Sequence, residues 1–233
     1  MKLILLGPPG SGKGTQAQKI EKKYHLKQLA TGDLLRDEIK SGSKIGREVK
    51  SIIDKGELVS DSIIISLIEN SINDKRLSSG FVLDGFPRSL CQAKALDKIL
   101  NQYNLALDVV IELLVDDKKL VDRIIGRFSC TDCSAVYHDV DHKTKKKGIC
   151  DKCGSSNFSR RSDDNEVVFT ERLKEYYRLT APIIPYYKDK GILKSINAMK
   201  SITYTENSIY TVSYTHLRAH ETLRYLVCRL VLE

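Results

Sequence analysis

A short apolar run that ends in a glycine-rich loop constrains the fold of this chain more than any other feature. The apolar residues Leu3–Leu6 are followed directly by Gly7-Pro8-Pro9-Gly10-Ser11-Gly12-Lys13-Gly14-Thr15. Glycines let backbone N–H groups approach polyphosphate oxygens, the lysine adds a positive charge, and the following helix directs its N-terminal dipole at the anion. The pattern therefore predicts a phosphate-binding loop. The alternative is a glycine-rich strand-to-helix turn without a ligand.

Apolar segments alternate with segments of helical periodicity along most of the chain. Continuous apolar strands joined by helices are typical of a doubly wound parallel sheet covered on both faces, with ligands at the carboxyl ends of the strands. The predicted strands are Lys2–Leu6, Gln28–Ala30, Phe81–Leu83, Val109–Leu114 and Leu193–Ile196. The predicted helices are Gly14–Tyr24, Asp61–Asn73, Leu90–Gln102, Lys118–Gly126 and Glu166–Lys188, the last interrupted by Pro182 and Pro185.

A second apolar strand ends in a carboxylate within Phe81-Val82-Leu83-Asp84-Gly85-Phe86-Pro87-Arg88. At the tip of that strand Asp84 would lie beside the phosphate-binding loop, where a carboxylate can hold Mg²⁺ through water. Arg88 carries the planar fork that suits a phosphate group. The alternatives are that Asp84 caps a turn and that Arg88 is an ordinary surface charge.

Four of the six cysteines form two C-x-x-C pairs, Cys130 with Cys133 and Cys150 with Cys153. Four thiolates at this spacing suit a tetrahedral structural zinc site with a closed shell of ligands. Disulfides are the alternative, which a reducing cytoplasm disfavours. The surrounding segment has few apolar residues, so we expect the metal to supply much of its folding energy.

Length and charge set broader limits. The 233 residues suit one large domain with insertions, and no apolar stretch approaches the ~20 residues that a membrane helix needs. The chain begins Met1-Lys2 and then enters a short apolar run, so no signal peptide is visible. We therefore expect a cytoplasmic protein that contacts no membrane. We expect a monomer because no exposed heptad or apolar stripe stands out in the core region. The net charge of +8 indicates acidic ligands.

One non-enzymatic alternative is a zinc-ribbon module that binds nucleic acid. It is suggested by the four cysteines, the basic run Lys145–Lys147 and the net positive charge. Such a module needs stacking aromatic residues, and the cysteine-bearing segment offers Phe128, Tyr137 and Phe158. Because this alternative leaves the phosphate-binding loop without a role, we expect no nucleic-acid partner.

Five motifs in the same order make the chain resemble adenylate kinase over about residues 1–200. In the first motif Gly14 separates Lys13 from the hydroxyl of Thr15, which is typical of nucleoside monophosphate kinases rather than of GTPases or motor ATPases. The motifs are Gly7–Thr15, Ala30–Arg36, Asp84–Arg88, Asp122–Arg127 and Arg161–Asp164.

The resemblance implies a reversible reaction in which ATP, bound with Mg²⁺, and AMP give two ADP. The Ala-Thr-Gly-Asp-Leu-Leu-Arg form of the second motif and the glutamine at position 92 favour AMP as the acceptor. A kinase that acts on UMP or CMP is the alternative within the same class of enzyme.

Catalysis in such a kinase is implied to rest on one lysine, one carboxylate and a cluster of arginines. Arg127 matches the arginine on the donor phosphate, while Arg161 and Arg172 span both nucleotides. The implied catalytic residues are Lys13, Asp84, Arg88, Arg127, Arg161 and Arg172.

The ATP site is implied to combine the phosphate-binding loop with an arginine that stacks on adenine. Arg123 matches that stacking residue, whose flat guanidinium a lysine cannot replace. The implied ATP-binding residues are Gly10, Ser11, Gly12, Lys13, Gly14, Thr15, Arg123, Arg127, Val136, Tyr137 and Lys200.

The AMP site is implied to lie across the loop, with Arg36 and Arg88 on its phosphate and Gln92 on the Watson–Crick edge of adenine. Thr31 hydrogen-bonds the AMP nucleoside or caps the following helix. The implied AMP-binding residues are Thr31, Arg36, Glu57, Leu58, Val59, Gly85, Phe86, Pro87, Arg88, Gln92, Arg161 and Arg172.

The resemblance further implies an α/β, P-loop NTPase-like, three-layer αβα fold with a five-stranded parallel sheet and two inserts. The expected core comprises residues 1–29, 61–126 and 165–211, and residues 30–60 form a helical NMP-binding insert. Residues 127–164 form a lid whose structural Zn²⁺ is held by Cys130, Cys133, Cys150 and Cys153. Both inserts are expected to close over the nucleotides and exclude water.

Several positions carry separate expectations. Asp163 and Asp164 latch the closed lid against basic residues or cap the next helix. Cys91 is expected to be buried beside the AMP site, and Arg160 to be a surface residue. The tail, residues 212–233, departs from the family and is interpreted as non-native sequence, although its apolar spacing suits a helix.

Overall fold

A five-stranded parallel sheet forms the centre of the computed structural model, which describes residues 1–54, 59–73, 80–160 and 164–213. The strands lie side by side in the order β2-β3-β1-β4-β8, so the loop after β1 emerges between β3 and β4. That position is where an open parallel sheet binds ligands. The strands are β1 (Lys2–Leu6), β2 (Lys27–Ala30), β3 (Phe81–Asp84), β4 (Val109–Leu114) and β8 (Leu193–Asn197).

The central strand is buried on both faces. Leu3 and Leu5 pack into a cluster on one face with helix residues that include Ile20. Ile4 and Leu6 pack into a second cluster on the other face. Alternate side chains of a strand point to opposite faces, so an uninterrupted apolar strand requires cover on both sides. The predicted α/β fold with a covered parallel sheet is confirmed.

Helices connect the strands, and two of them form the insert between β2 and the next core helix. A single 3₁₀ turn, Asp117–Lys119, precedes α6, and a π-helical turn, Tyr176–Thr180, follows α7. The helices are α1 (Lys13–Tyr24), α2 (Thr31–Ser41), α3 (Lys44–Asp54), α4 (Asp61–Ile72), α5 (Leu90–Gln102), α6 (Leu120–Ile125), α7 (Glu166–Glu175), α8 (Ile183–Asp189) and α9 (residues 202–213).

The two prolines in the long predicted helix behave differently. The helix is interrupted before Pro182, which immediately precedes α8, as predicted. Pro185 is the third residue of α8 and interrupts nothing, so that part of the prediction was wrong. The first backbone N–H groups of a helix have no partner within it, and a proline there removes no hydrogen bond.

A small antiparallel sheet lies within the predicted lid. Its strands are β5 (Arg127–Cys130), β6 (Val136–His138) and β7 (Phe158–Ser159), in the order β6-β5-β7. The Phe128 ring stacks on the Tyr137 ring at 5.6 Å and meets Phe158 edge-on at 5.4 Å. These rings and the cysteines form the lid's own small core.

The last described helix, α9, packs against the core despite the unusual sequence that follows it. Ile209 is fully buried, and Lys19 of α1 forms an ion pair with Glu206. The tail predicted from residue 212 therefore begins inside α9, and residues 214–233 lie outside the described residues. No helix among the described residues combines the length and apolar character needed to cross a bilayer.

We predict that Gly46→Ala destabilises the helical insert. A Cβ at this position would lie 1.9 Å from the backbone oxygen of Glu38, so α2 and α3 must move apart to admit it. Overpacking of this kind lowers the free energy of unfolding by about 1–3 kcal/mol. Denaturant unfolding measures the change. Glu48→Ala, at an exposed position of α3, is the control; equal stability of the two variants would contradict this account.

Candidate active site

The phosphate-binding loop connects β1 to α1 and has backbone angles that favour glycine. Gly7 has a φ of 149°, and a Cβ there would lie 2.8 Å from Ser11 Oγ. Gly12, with a φ of 91°, directly precedes α1. The N-terminus of α1 and its dipole therefore lie at the loop, which is an anion-binding geometry.

Lys13, the first residue of α1, folds back over this loop. Its ammonium group donates hydrogen bonds to the carbonyl oxygens of Gly7, at 2.6 Å, and Pro8, at 2.8 Å. These carbonyls hold the charge in place without neutralising it. The ammonium group is therefore placed to exchange them for an anionic oxygen.

Positive charges from three other parts of the chain act on Lys13. Desolvation lowers the pKa of Lys13 to about 8, and although Asp84 opposes this change, Arg88, Arg172 and Arg127 reinforce it. Desolvation and the charge of Arg172 also lower the pKa of Arg88, although Arg88 keeps solvent contact and Asp84 opposes the change. A desolvated group of like charges is unfavourable until an anion enters, so the cluster suits a polyanionic ligand.

Asp84 lies beside the loop, as predicted. It is the last residue of β3, and its Oδ2 lies 3.4 Å from where a Cβ on Gly14 would be. Gln28 Nε2 donates to the same oxygen at 3.4 Å. The side chain thus presents a carboxylate to the loop.

The hydroxyl of Thr31 joins the start of α2 to the end of β3. Its Oγ1 donates to the Gly85 carbonyl at 2.7 Å, and Arg88 Nε donates to the same carbonyl at 2.8 Å. The N-cap of α2 is Ala30, so the alternative in which Thr31 caps the helix is wrong. Its contact with the acceptor nucleoside stays a prediction.

Asp164 holds Arg127. Arg127 Nε donates to Asp164 Oδ2 at 2.8 Å, and Nη2 pairs with the other carboxylate oxygen. The Asp164 side chain is only 2% exposed, so the pair is well shielded. The N-cap of α7 is Asn165, so Asp164 does not cap this helix. Of the two alternatives for Asp164, the structure shows the pairing with a basic residue. Asp163 lies outside the described residues.

Two further predicted arginines are engaged away from the Lys13 cluster. Arg36 forms an ion pair with Asp33 on its own helix and remains about half exposed. Arg123 Nη1 donates to the Ala198 carbonyl at 3.2 Å, just after β8. The exposed Lys200 places its ammonium group 4.1 Å from the ring centre of Tyr204.

Gln92 is buried, and both polar atoms of its amide hydrogen-bond within the protein. Oε1 accepts from the Arg88 backbone N–H at 2.7 Å, and Nε2 donates to Asp61 Oδ1 at 2.6 Å. Sequence analysis missed Asp61, because an acidic residue at a helix start is an ordinary pattern. Cys91, the neighbour of Gln92, is exposed, so its predicted burial was wrong.

Two other residues predicted for the AMP site pack in the core, and three lie outside the described residues. The Phe86 side chain lies wholly in the core, which leaves only its backbone for a ligand. Val59 packs against the same core cluster. Glu57, Leu58 and Arg161 lie outside the described residues.

The four lid cysteines form a compact cluster of free thiols. Their sulfur atoms all lie within 4.8 Å of one another. Cys130 and Cys153 are 3.6 Å apart and Cys133 and Cys150 are 3.4 Å apart, far longer than the ~2.05 Å of a disulfide. Tetrahedral zinc with bonds of ~2.3 Å places sulfurs roughly 3.8 Å apart. The cluster therefore fits zinc and contradicts the disulfide alternative.

The hydroxyl of Tyr137 is a partner of this cluster that sequence analysis missed. It accepts from the Asp151 backbone N–H at 2.8 Å, so its own proton is available to Cys150 Sγ at 3.3 Å. Burial raises the pKa of Cys150, but hydrogen bonds from Tyr137 and from neighbouring backbone N–H groups lower it to about 6. With its ring buried in the lid, Tyr137 can offer ATP only its backbone.

Comparison with known proteins adds a family match that covers most of the chain, from the end of β1 to the residue before β8. A model of the family described as adenylate kinase matches residues 5–192. The adenylate kinase of Rhizobium etli (strain CIAT 652) is 47% identical over 212 residues, which cover 91% of this chain and 98% of the relative. The adenylate kinase of Allorhizobium ampelinum is 48% identical with the same coverage. That of Paracoccus denitrificans is 48% identical over 202 residues, 87% of this chain and 92% of the relative.

We predict that the stability contributed by Lys13 depends on pH. The pKa of Lys13 is about 8 in the folded protein against an ordinary value of 10.5. Between these values the unfolded chain binds more protons, so the wild type gains stability relative to Lys13→Met as the pH rises. Denaturant unfolding of both proteins across this range measures the difference. A difference that stays constant or falls with rising pH would contradict the desolvation of Lys13.

Proposed function

This chain belongs to the adenylate kinase family, and we propose that Lys13, Asp84, Arg88, Arg127 and Arg172 carry out its reaction. The reaction is the transfer of a phosphoryl group from ATP to AMP, which gives two ADP. The observation that supports these roles is the convergence of three arginine charges on a desolvated lysine over a phosphate-binding loop.

Phosphoryl transfer to AMP requires stabilisation of charge and does not require a general base. The attacking oxygen belongs to the AMP phosphate, whose second pKa is ~6, so it is already ionised at neutral pH. The difficulty is to bring two polyanions into line around a charge-delocalised phosphoryl group. Lys13 would move its hydrogen bonds from the Gly7 and Pro8 carbonyls to phosphate oxygens.

On the donor side, the backbone of Gly10–Thr15 would hold the ATP phosphates. Arg127, oriented by Asp164, would stabilise the transferred group, and Arg123 would lie on the adenine. The other residues proposed for this side are Arg161, Val136, the Tyr137 backbone and Lys200. Magnesium bound with ATP neutralises phosphate charge, and Asp84 would hold it through water.

On the acceptor side, Arg88 would hold the AMP phosphate and Gln92 the adenine edge. Arg36 would leave Asp33 to join Arg88 on the phosphate. The remaining proposed contacts are Thr31, the segment 57–59 and the backbone of Gly85, Phe86 and Pro87.

Both inserts would close during the reaction. We propose that residues 30–60 close over AMP and residues 127–164 close over ATP, which excludes water as a competing acceptor. Arg36, which the structure leaves on its own helix, would join the charge cluster in this step. Acceptors other than AMP and the nucleic-acid-binding alternative are not favoured by the family match.

We propose a structural zinc in the lid and a cytoplasmic, monomeric protein. Four thiols at zinc-binding separations leave no open coordination position for catalysis, so the metal would stabilise the fold. The free thiols also fit a reducing compartment.

We predict that Lys13→Met lowers kcat by about 10²–10³-fold while the protein stays folded, because it removes a charge from the reacting phosphates. Formation of ADP from magnesium-ATP with AMP, UMP, CMP or GMP is the assay, and AMP is the expected acceptor. Lys22→Met, at an exposed position of the same helix, is the matched control. Near-normal turnover of K13M would remove Lys13 from the mechanism.

We predict one zinc per chain and a lower zinc affinity in Tyr137→Phe. Loss of the hydroxyl removes the hydrogen bond to Cys150, and loss of such a partner weakens metal binding by about 10–100-fold. Elemental analysis and competition with a chromophoric chelator measure content and affinity. Tyr103→Phe, at an exposed tyrosine, is the control. Equal zinc affinity in the two variants would show that the hydroxyl does not support the metal.

A further inference from the structure

We propose that Asp61 is a positioning residue that fixes the orientation of the Gln92 amide and thereby sets the preference for adenine in the acceptor. This inference rests on the proposed role of Gln92 at the acceptor base. In this role Asp61 would affect which base is accepted and would take no part in phosphoryl transfer.

A closed set of hydrogen bonds joins the start of α4 to the start of α5. Gln92 Nε2 donates to Asp61 Oδ1 at 2.6 Å, and Ser89 Oγ donates to Asp61 Oδ2 at 3.1 Å. Ser89 Oγ accepts in turn from the Gln92 backbone N–H at 3.2 Å, as the N-cap of α5. The Arg88 backbone N–H completes the set by donating to Gln92 Oε1 at 2.7 Å.

The chemistry of these partners permits one orientation of the amide. An ionised carboxylate only accepts hydrogen bonds, and a backbone N–H only donates. A rotated amide would place its oxygen against Asp61 and its NH₂ group against the Arg88 N–H, so both bonds would become repulsive contacts. Gln92 is only 3% exposed, so water has little access to replace the lost partners.

A fixed amide discriminates between bases whose edges are inverted. After its bonds within the protein, the amide retains one N–H donor and one oxygen lone pair. Adenine offers an N6–H donor and an N1 acceptor, whereas guanine offers an O6 acceptor and an N1–H donor in the same places. A rotatable amide could serve either base, but one held by Asp61 and Arg88 matches adenine alone.

A purely structural role for the cluster predicts a different result. Gln92 follows Ser89 by three residues, which is the spacing of a helix capping box. If the cluster served only to cap α5, loss of any member would lower stability and leave the choice of base unchanged.

The test compares Asp61→Ala with Ser89→Ala in assays with AMP and GMP as acceptors. We expect D61A to raise the KM for AMP and to reduce the ratio of kcat/KM for AMP over GMP by about tenfold, the value of one hydrogen bond. The KM for ATP should stay near that of the wild type.

S89A removes the cap but keeps the bond between Asp61 and Gln92, so it should lose stability and keep the ratio. Asp61→Asn, whose oxygen can still accept from Nε2, should restore most of the ratio.

Two kinetic outcomes overturn the inference, and they are distinguishable. If the wild type does not phosphorylate AMP, the proposed function fails and this inference fails with it. If the wild type uses AMP and D61A keeps both the ratio and the KM for AMP, only the role of Asp61 fails. A measurement on the wild type needs no folded variant: NMR should show slow solvent exchange of the Gln92 Nε2 proton bonded to Asp61. Exchange as fast as that of an exposed glutamine would also overturn the inference.

Discussion

The concentration of positive charge around Lys13 is the constraint on which the rest of the structure depends. Desolvation and the charges of Arg88, Arg127 and Arg172 lower the pKa of Lys13, and the carboxylate of Asp84 opposes them. Such a cluster is stable only if each cation has a local partner. Carbonyl oxygens of the loop hold Lys13, the Gly85 carbonyl holds Arg88, and Asp164 holds Arg127.

The topology explains how these cations meet. β1 lies between β3 and β4, so the loop after β1 and the turn after β3 open at the same edge of the sheet. Lys13 and Arg88 thus lie next to strands of the central sheet, whereas Arg127 begins the lid sheet and Arg36 lies on α2 in the helical insert. Arg172 also lies on a core helix, α7, whereas Arg127 and Arg36 would travel with the segments that we propose to close over nucleotides.

Features set by local sequence were predicted well. The five strands of the central sheet lie within one residue of their predicted bounds, because short apolar runs bounded by polar or glycine residues admit few alternatives, whereas the three lid strands were not predicted. The phosphate-binding loop and the cysteine cluster also follow from spacing alone. Their chemistry is carried by residues close in sequence, so no knowledge of distant neighbours was needed.

Several hydrogen bonds between residues distant in sequence were not predicted. Thr31 gives its hydroxyl to the Gly85 carbonyl rather than to its own helix, and Tyr137 turns toward Cys150 rather than outward. The partnership of Asp61 with Gln92 joins residues 31 positions apart on two helices. Each choice depends on which polar group the fold brings alongside, and a single sequence does not record that information.

The most direct test is a crystal structure of the protein with magnesium and an inhibitor in which two adenosines are joined by five phosphates. The account predicts that Lys13 Nζ leaves the Gly7 and Pro8 carbonyls and that the guanidinium groups of Arg88, Arg127 and Arg172 contact the phosphate chain together. Guanidinium groups that remain turned away from the phosphates in the closed complex would contradict it.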